Sequence, residues 1–184
     1  MSDITQETTL VELASIVSET LSQAGITAVL SGGGAVSAYT ENKYQTVDLD
    51  FVTAAGLEEI GQALVLLGFK RGTQGRARYF EHPNCTWYLE FPPAPLSVGS
   101  RRIRDGEWTQ LETPFGTIQI LSPTQSIMDR LAAYFWWDDQ QSFDQALMIA
   151  SHQEVVWSEL EEWMESESPS WEKVERFKQL AGRG

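Results

Sequence analysis

The chain has 184 residues and a mass of 20.7 kDa, the size of one ordinary domain or one domain with an appendage. Hydrophobic residues make up 42% of it and include 7 Trp, 5 Tyr and 8 Phe, enough for a packed core, which excludes global disorder. A net charge of −13 argues against non-specific coating of nucleic acid, and the single Cys85 excludes an intrachain disulfide or a cysteine-based zinc site. His82 and His152 stand far apart in sequence and do not make a histidine-rich metal site. No apolar run is long enough to span a bilayer and the N-terminus is polar, so a cytoplasmic protein without signal peptide or membrane partner is expected. The charge is uneven: −8 over residues 1–69, +5 over 70–104 and −10 over 105–184. Lys70, Arg71, Arg76, Arg78, Arg101, Arg102 and Arg104 carry the positive segment, which is either a set of solvated loop charges or the border of a binding site.

The first element is a helix opened by a Thr9/Glu12 capping box, with Leu10, Leu13, Val17 and Leu21 on one face and Gly25 after its end. A short buried strand over 26–30 runs into Ser31-Gly32-Gly33-Gly34, followed by a short helix over 35–40. A strand over 46–52 and a helix over 57–67 follow, the helix closed by Gly68. Residues 69–121 read as strands at 69–72, 77–81, 86–91, 108–112 and 117–121, the last two joined by a Thr-Pro-Phe-Gly turn. Ser122-Pro123-Thr124-Gln125 starts a helix with Ser122 as cap, Pro123 in the first turn and Gln125 completing a capping box. The rest is helical and rich in Trp, with a polar break over 166–170. The expected fold is α+β: a mixed sheet with flanking helices and a mostly antiparallel extension over residues 1–121, and a helical layer over 122–184 packed on it. On the helical layer, Tyr134, Phe135, Trp136 and Trp137 read first as core, with base stacking as the alternative. Trp157, Trp163 and Trp171 are expected to pack the last helices together, Asp138 and Asp139 to be solvated, and Cys85 to be a small buried hydrophobe.

Thr46-Val47-Asp48-Leu49-Asp50-Phe51-Val52 is the stretch that carries chemistry. Side chains alternate along a strand, so Val47, Leu49 and Phe51 face one side while Asp48 and Asp50 share the other, about 6–7 Å apart. Two such carboxylates repel each other and call for a cation, either an arginine or lysine or a metal. Oxygen donors without imidazole or thiolate favour Mg²⁺ or Mn²⁺. Trp87-Tyr88-Leu89-Glu90-Phe91 repeats the alternation and puts Glu90 on a polar face; beside the Asp48/Asp50 strand it would complete a triad able to hold two metals. The competing reading places the aspartates at an exposed strand end and pairs Glu90 with an arginine. Gly32-Gly33-Gly34, after a buried strand and before a helix, lets backbone N–H groups approach phosphate oxygens closely. No Gly-Lys-Ser/Thr follows it, so it is not a Walker loop, and the glycine spacing is not that of a Rossmann fingerprint.

Leu30-Ser31-Gly32-Gly33-Gly34-Ala35-Val36-Ser37 followed by Thr46-Val47-Asp48-Leu49-Asp50-Phe51 resembles the strand–Gly-Gly–helix–Asp-x-Asp signature of the nucleotidyltransferase superfamily. It looks closest to small bacterial proteins around the AbiEii-type toxin nucleotidyltransferases. Stretches around Glu90–Pro93, Pro95–Gly99, Leu121–Thr124 and Asp129–Ala133 extend the resemblance over residues 26–150. The resemblance implies a nucleotidyltransferase fold and transfer of a nucleoside monophosphate from an NTP to an RNA 3′ end, tRNA among the candidates, or to a protein hydroxyl, with an antitoxin as a possible partner. It implies Asp48, Asp50 and Glu90 as catalytic metal ligands for Mg²⁺ or Mn²⁺, and Gly32, Gly33 and Ser37 around the triphosphate. Arg130 and Asp144 stand nearest to the lysine and aspartate that position the nucleotide in that branch. This chain departs there: no lysine lies between Lys70 and Lys173, and Met128 sits where related proteins often carry a basic residue. The basic segment flanks Glu90, so Arg101, Arg102 and Arg104 are expected on the acceptor side. The alternative is a catalytically silent module of the same fold that binds a nucleotide or a protein.

Overall fold

Leu30, Leu49, Phe51, Leu89 and Phe91 are all fully buried; the strand Ala28–Ser31 is buried throughout, while around Leu49, Phe51 and Leu89 buried positions alternate with more exposed ones. That alternation sets the frame. The computed structural model describes residues 4–44, 46–72 and 78–183. In chain order the elements are α1 (Leu10–Gln23), β1 (Ala28–Ser31), α2 (Gly32–Tyr39), β2 (Asp48–Thr53) and α3 (Leu57–Leu64). Then come β3 (Lys70–Arg71), β4 (Tyr79–Glu81), β5 (Tyr88–Glu90), β6 (Ser97–Val98), β7 (Arg101–Arg102), β8 (Thr109–Thr113) and β9 (Gly116–Ile120). Four helices complete the chain: α4 (Pro123–Trp137), α5 (Gln140–His152), α6 (Trp157–Glu167) and α7 (Trp171–Leu180).

Seven strands form one mixed sheet in the order β3-β4-β5-β2-β1-β9-β8. β2 pairs antiparallel with β1 and parallel with β5, and β1 pairs parallel with β9. The strands expected to form an antiparallel extension therefore flank the central pair instead, joining it through parallel contacts on both sides. Each parallel contact needs a long crossover, which residues 54–87 and the helices and strands between β1 and β9 supply. β6 and β7 form a separate two-stranded hairpin that the sequence pattern did not announce, because each strand is only two residues long. The strand expected at 77–81 is described only as β4, residues 73–77 lying outside the described residues together with Arg76.

Thr9 caps α1 by accepting the Glu12 N–H, and Ser122 and Gln125 form the expected capping box on α4. α2 starts at Gly32, three residues before the expected position, so the glycine run is the helix's first turn. A Cβ on Gly34 would lie 2.9 Å from both Leu30 and Leu49, so the missing side chain lets α2 seat directly on the sheet. One continuous cluster of buried side chains runs from α1 through the strands into α4–α7. Tyr134 and Phe135 belong to it as expected, whereas Trp136 and Trp137 are exposed. Trp163 is buried and Trp157 packs against the core, but Trp171 is exposed, because α7 buries only Val174 and Phe177. Cys85 is half-buried rather than buried. Asp139 caps α5 by accepting from Ser142, and Asp138 pairs with Lys173. No helix among the described residues is long and apolar enough to cross a membrane.

Glu167 ties the hairpin to the helices. Its carboxylate, almost fully buried, accepts from the Ser100 N–H at 3.0 Å, the Ser100 hydroxyl and the Trp136 indole N–H at 2.8 Å. Burial raises its pKa, but these hydrogen bonds outweigh burial and hold it below the ordinary glutamate value. Glu167→Ala should cost about 2–3 kcal/mol, since it strands buried donors that faced a charged acceptor. Thermal unfolding should then shift down by roughly 4–12 °C. Because the folded-state pKa is depressed, this contribution is complete above the ordinary glutamate pKa and is lost as pH falls through the depressed value. The difference in melting temperature between wild type and variant should therefore shrink in acid.

Candidate functional site

β2 and β5 run parallel with Asp48 opposite Tyr88, Leu49 opposite Leu89 and Asp50 opposite Glu90. Their apolar residues lock the other face: Phe51 and Phe91 stack at 6.0 Å, and Phe80 from β4 meets Phe91 edge-on at 5.5 Å. A one-residue slip of either strand would bury its acidic residues, so packing fixes the register that places the carboxylates together. Asp48, Asp50 and Glu90 each offer a carboxylate oxygen within 4.8 Å of the others, and all three side chains are half-buried. Neither His82, which lies against Phe69, nor His152, which hydrogen-bonds Lys43, belongs to this cluster.

The surroundings orient each acid. The Thr46 hydroxyl donates to Asp48 Oδ1 at 2.8 Å, and the Tyr79 hydroxyl lies 3.5 Å from Asp48 Oδ2. Gly32 comes so close that a Cβ on it would lie 2.5 Å from Asp50 Oδ2, and its φ of +61° already lies in the left-handed region. Asp50 is pushed up to about 7 by burial first, then by the charges of Asp48 and Glu90; the Arg130 guanidinium works in the opposite direction. Arg130 donates through Nε and Nη2 to Asp129 Oδ2, at 3.1 and 2.6 Å, and through Nη1 to Gln145 Oε1 at 3.4 Å. Gly32, Asp50, Glu90, Ser97, Asp129 and Arg130 line one open cleft of about 360 Å³. A larger hollow of about 990 Å³ adjoins it, sharing Val52, Pro95 and Leu96.

The other residues singled out from the sequence fall in different places. Gly33 stands beside Thr46 and Tyr44, with no room for a Cβ between them. The Ser37 side chain is buried and its hydroxyl is within donating distance of the Gly33 and Tyr44 carbonyls, which ties down the segment after α2. Asp144 is exposed on α5, accepts from Gln140, and does not line the cleft. Arg101 pairs with Glu159 at 2.7 Å, and Arg104 borders a neighbouring depression with Glu107, while Arg102 and Asp105 line both that depression and the larger hollow. None of the three lines the cleft. Asp129 enters the site without having been singled out as a functional residue; the signal available was an Asp-Arg pair at the seventh and eighth positions of a well-capped helix, a pattern common on solvated faces.

Three oxygen-donor side chains of this spacing and charge suit a hard divalent ion, and the raised pKa of Asp50 marks a site short of positive charge. The residues present therefore fit Mg²⁺ or Mn²⁺.

Neither a family model nor a curated protein matches the sequence. Solved structures do match its fold. An antigenic nucleotidyltransferase-like protein from Paracoccidioides brasiliensis superposes with a TM-score of 0.67 at 13% identity, over 97% of this chain and 94% of that one. The antibiotic-resistance factor ANT(2'')-Ia, in complex with adenylyl-2''-tobramycin, gives 0.56 at 12% identity, over 91% and 98%. The lincosamide antibiotic adenylyltransferase LnuA, in its lincomycin-bound form, gives 0.54 at 16% identity, over 77% and 98%. The chain thus has the nucleotidyltransferase fold.

Two outcomes follow from the geometry. In the metal-free protein Asp50 holds a proton that the unfolded chain releases near the ordinary aspartate pKa, so stability should fall as pH rises from about 4 to beyond 7. Asp50→Asn should flatten that slope, raising the melting temperature at pH 8 and leaving it nearly unchanged at pH 4. Gly32→Ala should destabilise by more than ~1 kcal/mol through its positive φ and displace the Asp50 carboxylate, which denaturant unfolding and Mn²⁺ titration would report together.

Proposed function

We propose that the protein is a metal-dependent nucleotidyltransferase that moves a nucleoside monophosphate from an NTP to a hydroxyl. The observation that carries this reading is the convergence of Asp48, Asp50 and Glu90 beside the Gly32 turn. Asp48 and Asp50, with Glu90, would hold Mg²⁺ or Mn²⁺, which when bound draws charge from the α-phosphate and lowers the pKa of the attacking hydroxyl. The backbone N–H groups of the first turn of α2, at Gly32 and Gly33, face developing phosphate charge at a helix N-terminus. Arg130, braced by Asp129 and Gln145, keeps its guanidinium at the cleft wall for a phosphate oxygen. Glu90 takes the proton as the acceptor oxygen bonds to the α-phosphorus; the α–β phosphoanhydride bond breaks and pyrophosphate leaves.

The acceptor would enter through the adjoining 990 Å³ hollow, a volume suited to a small molecule or a chain end. Arg101 is already neutralised by Glu159, and Asp105 and Glu107 stand beside Arg102 and Arg104. This pairing of charges favours a small hydroxyl compound over RNA or a protein, in keeping with the small antibiotics named with ANT(2'')-Ia and LnuA; a toxin role with an antitoxin partner rests on the sequence resemblance alone.

The test is transfer of label from each α-³²P-NTP, with Mg²⁺, to small-molecule, RNA and protein fractions offered separately. Labelling of the small-molecule fraction is expected, with a drop of about 100-fold or more in Asp50→Asn, the scale of removing an electrostatic stabiliser. Labelling of RNA would move the acceptor to nucleic acid. NTP binding without transfer to any fraction would leave the silent-module reading in its place.

A further inference from the structure

Trp137 is 77% exposed at the end of α4, the most exposed of the large apolar side chains. Its neighbour Trp136 is committed, donating its indole N–H to Glu167. Among the described residues, no ring or hydrogen-bonding group engages Trp137. A large flat aromatic left in water gains nothing for the fold and is suited to cover another flat surface.

Its position on the helix is what gives it a partner. Trp137 follows Arg130 by seven residues, which on an α-helix is two turns, about 10.5 Å along the axis and only about 20° away around it. Arg130 lines the cleft with Asp50 and Glu90, so the stripe of α4 that faces the carboxylates continues outward to Trp137. Ala133, half-buried, is the small side chain between them along the helix. The axial spacing of about 10.5 Å is on the scale of a ribose and base extending from phosphates at the cleft. The mixed polar and apolar hollow that adjoins the cleft is left to the acceptor.

Building on the nucleotidyltransferase reading, we infer that Trp137 is the base platform of the nucleotide site, stacking its indole on the nucleobase while the phosphates occupy the cleft two turns back along α4. Stacking accepts every base through its π-face, so the platform supplies affinity for nucleotides without selecting one of them.

The experiment compares non-hydrolysable α,β-methylene analogues of the four NTPs with inorganic tripolyphosphate, each titrated calorimetrically with Mg²⁺ into wild type, Trp137→Ala, Trp137→Phe and Trp171→Ala. Trp137→Ala should weaken nucleotide binding roughly 5- to 100-fold, the range of a lost base–aromatic stack, and leave tripolyphosphate binding unchanged. Trp137→Phe should recover most of the nucleotide affinity, and Trp171→Ala, at an exposed tryptophan on another helix, should behave as wild type. Nucleotide binding unchanged in Trp137→Ala would overturn the platform and leave the enzymatic reading standing. Equal weakening of tripolyphosphate would also overturn it, since Trp137 would then act through the fold or the phosphates. Failure of wild type to bind either nucleotides or tripolyphosphate would remove the nucleotidyltransferase reading itself.

Discussion

Three carboxylates are held within 4.8 Å of one another by strands that cannot turn over. Their mutual repulsion opposes folding, and the groups that overcome it are on the far side of the sheet: Leu49, Phe51, Leu89 and Phe91, all fully buried. Rotating β2 or β5 to separate the acids would bring these side chains into water, at a cost of about 1.5–3 kcal/mol for each. The hydrophobic face therefore sets the geometry of the polar one. The same constraint explains why Asp50, though surrounded by acids, stays where it is and responds by holding its proton up to about pH 7.

The rest of the molecule closes around that acidic face. α2 approaches through a first turn without side chains, so that Gly32 stands against Asp50 and Gly34 against Leu30 and Leu49. α4 brings Asp129 and Arg130 to the opposite wall, and Arg130 is fixed by two partners rather than left to collapse onto the carboxylates. The β6–β7 hairpin supplies Ser97, and Glu167 fastens that hairpin to α4 and α6 from inside the core. A cleft built in this way is preorganised. It exposes charge to a ligand because packing, capping and a buried acid elsewhere hold its walls apart.

Much of this was legible in the residues. Period-two alternation placed Asp48 with Asp50, and Glu90 with the polar face of its own strand, because burial on one side leaves no freedom on the other. The capping box at Ser122 marked α4 to the residue. What could not be read was long-range. The parallel pairing that sets Asp50 against Glu90 depends on a crossover, and nothing local to either strand encodes it. The positive segment 70–104 read as solvated loop charges or the border of a binding site, and its members divide: Arg101 is paired with a glutamate 58 residues away, Arg102 lines the larger hollow, and Arg104 borders a neighbouring depression. Trp136, Trp137 and Trp171 read as core because aromatic residues in helices usually are; their exposure follows from where the helices end, which composition does not reveal.

The central claim is that the acidic face is a divalent-metal and nucleotide site held ready by the fold. Crystals soaked with Mn²⁺ and a non-hydrolysable NTP, measured at a wavelength where manganese scatters anomalously, test it most directly. The account requires anomalous peaks coordinated by Asp48, Asp50 and Glu90, with phosphate density between them and the first turn of α2. Manganese absent from this cluster at saturating concentration, or nucleotide density lodged elsewhere on the molecule, would contradict it.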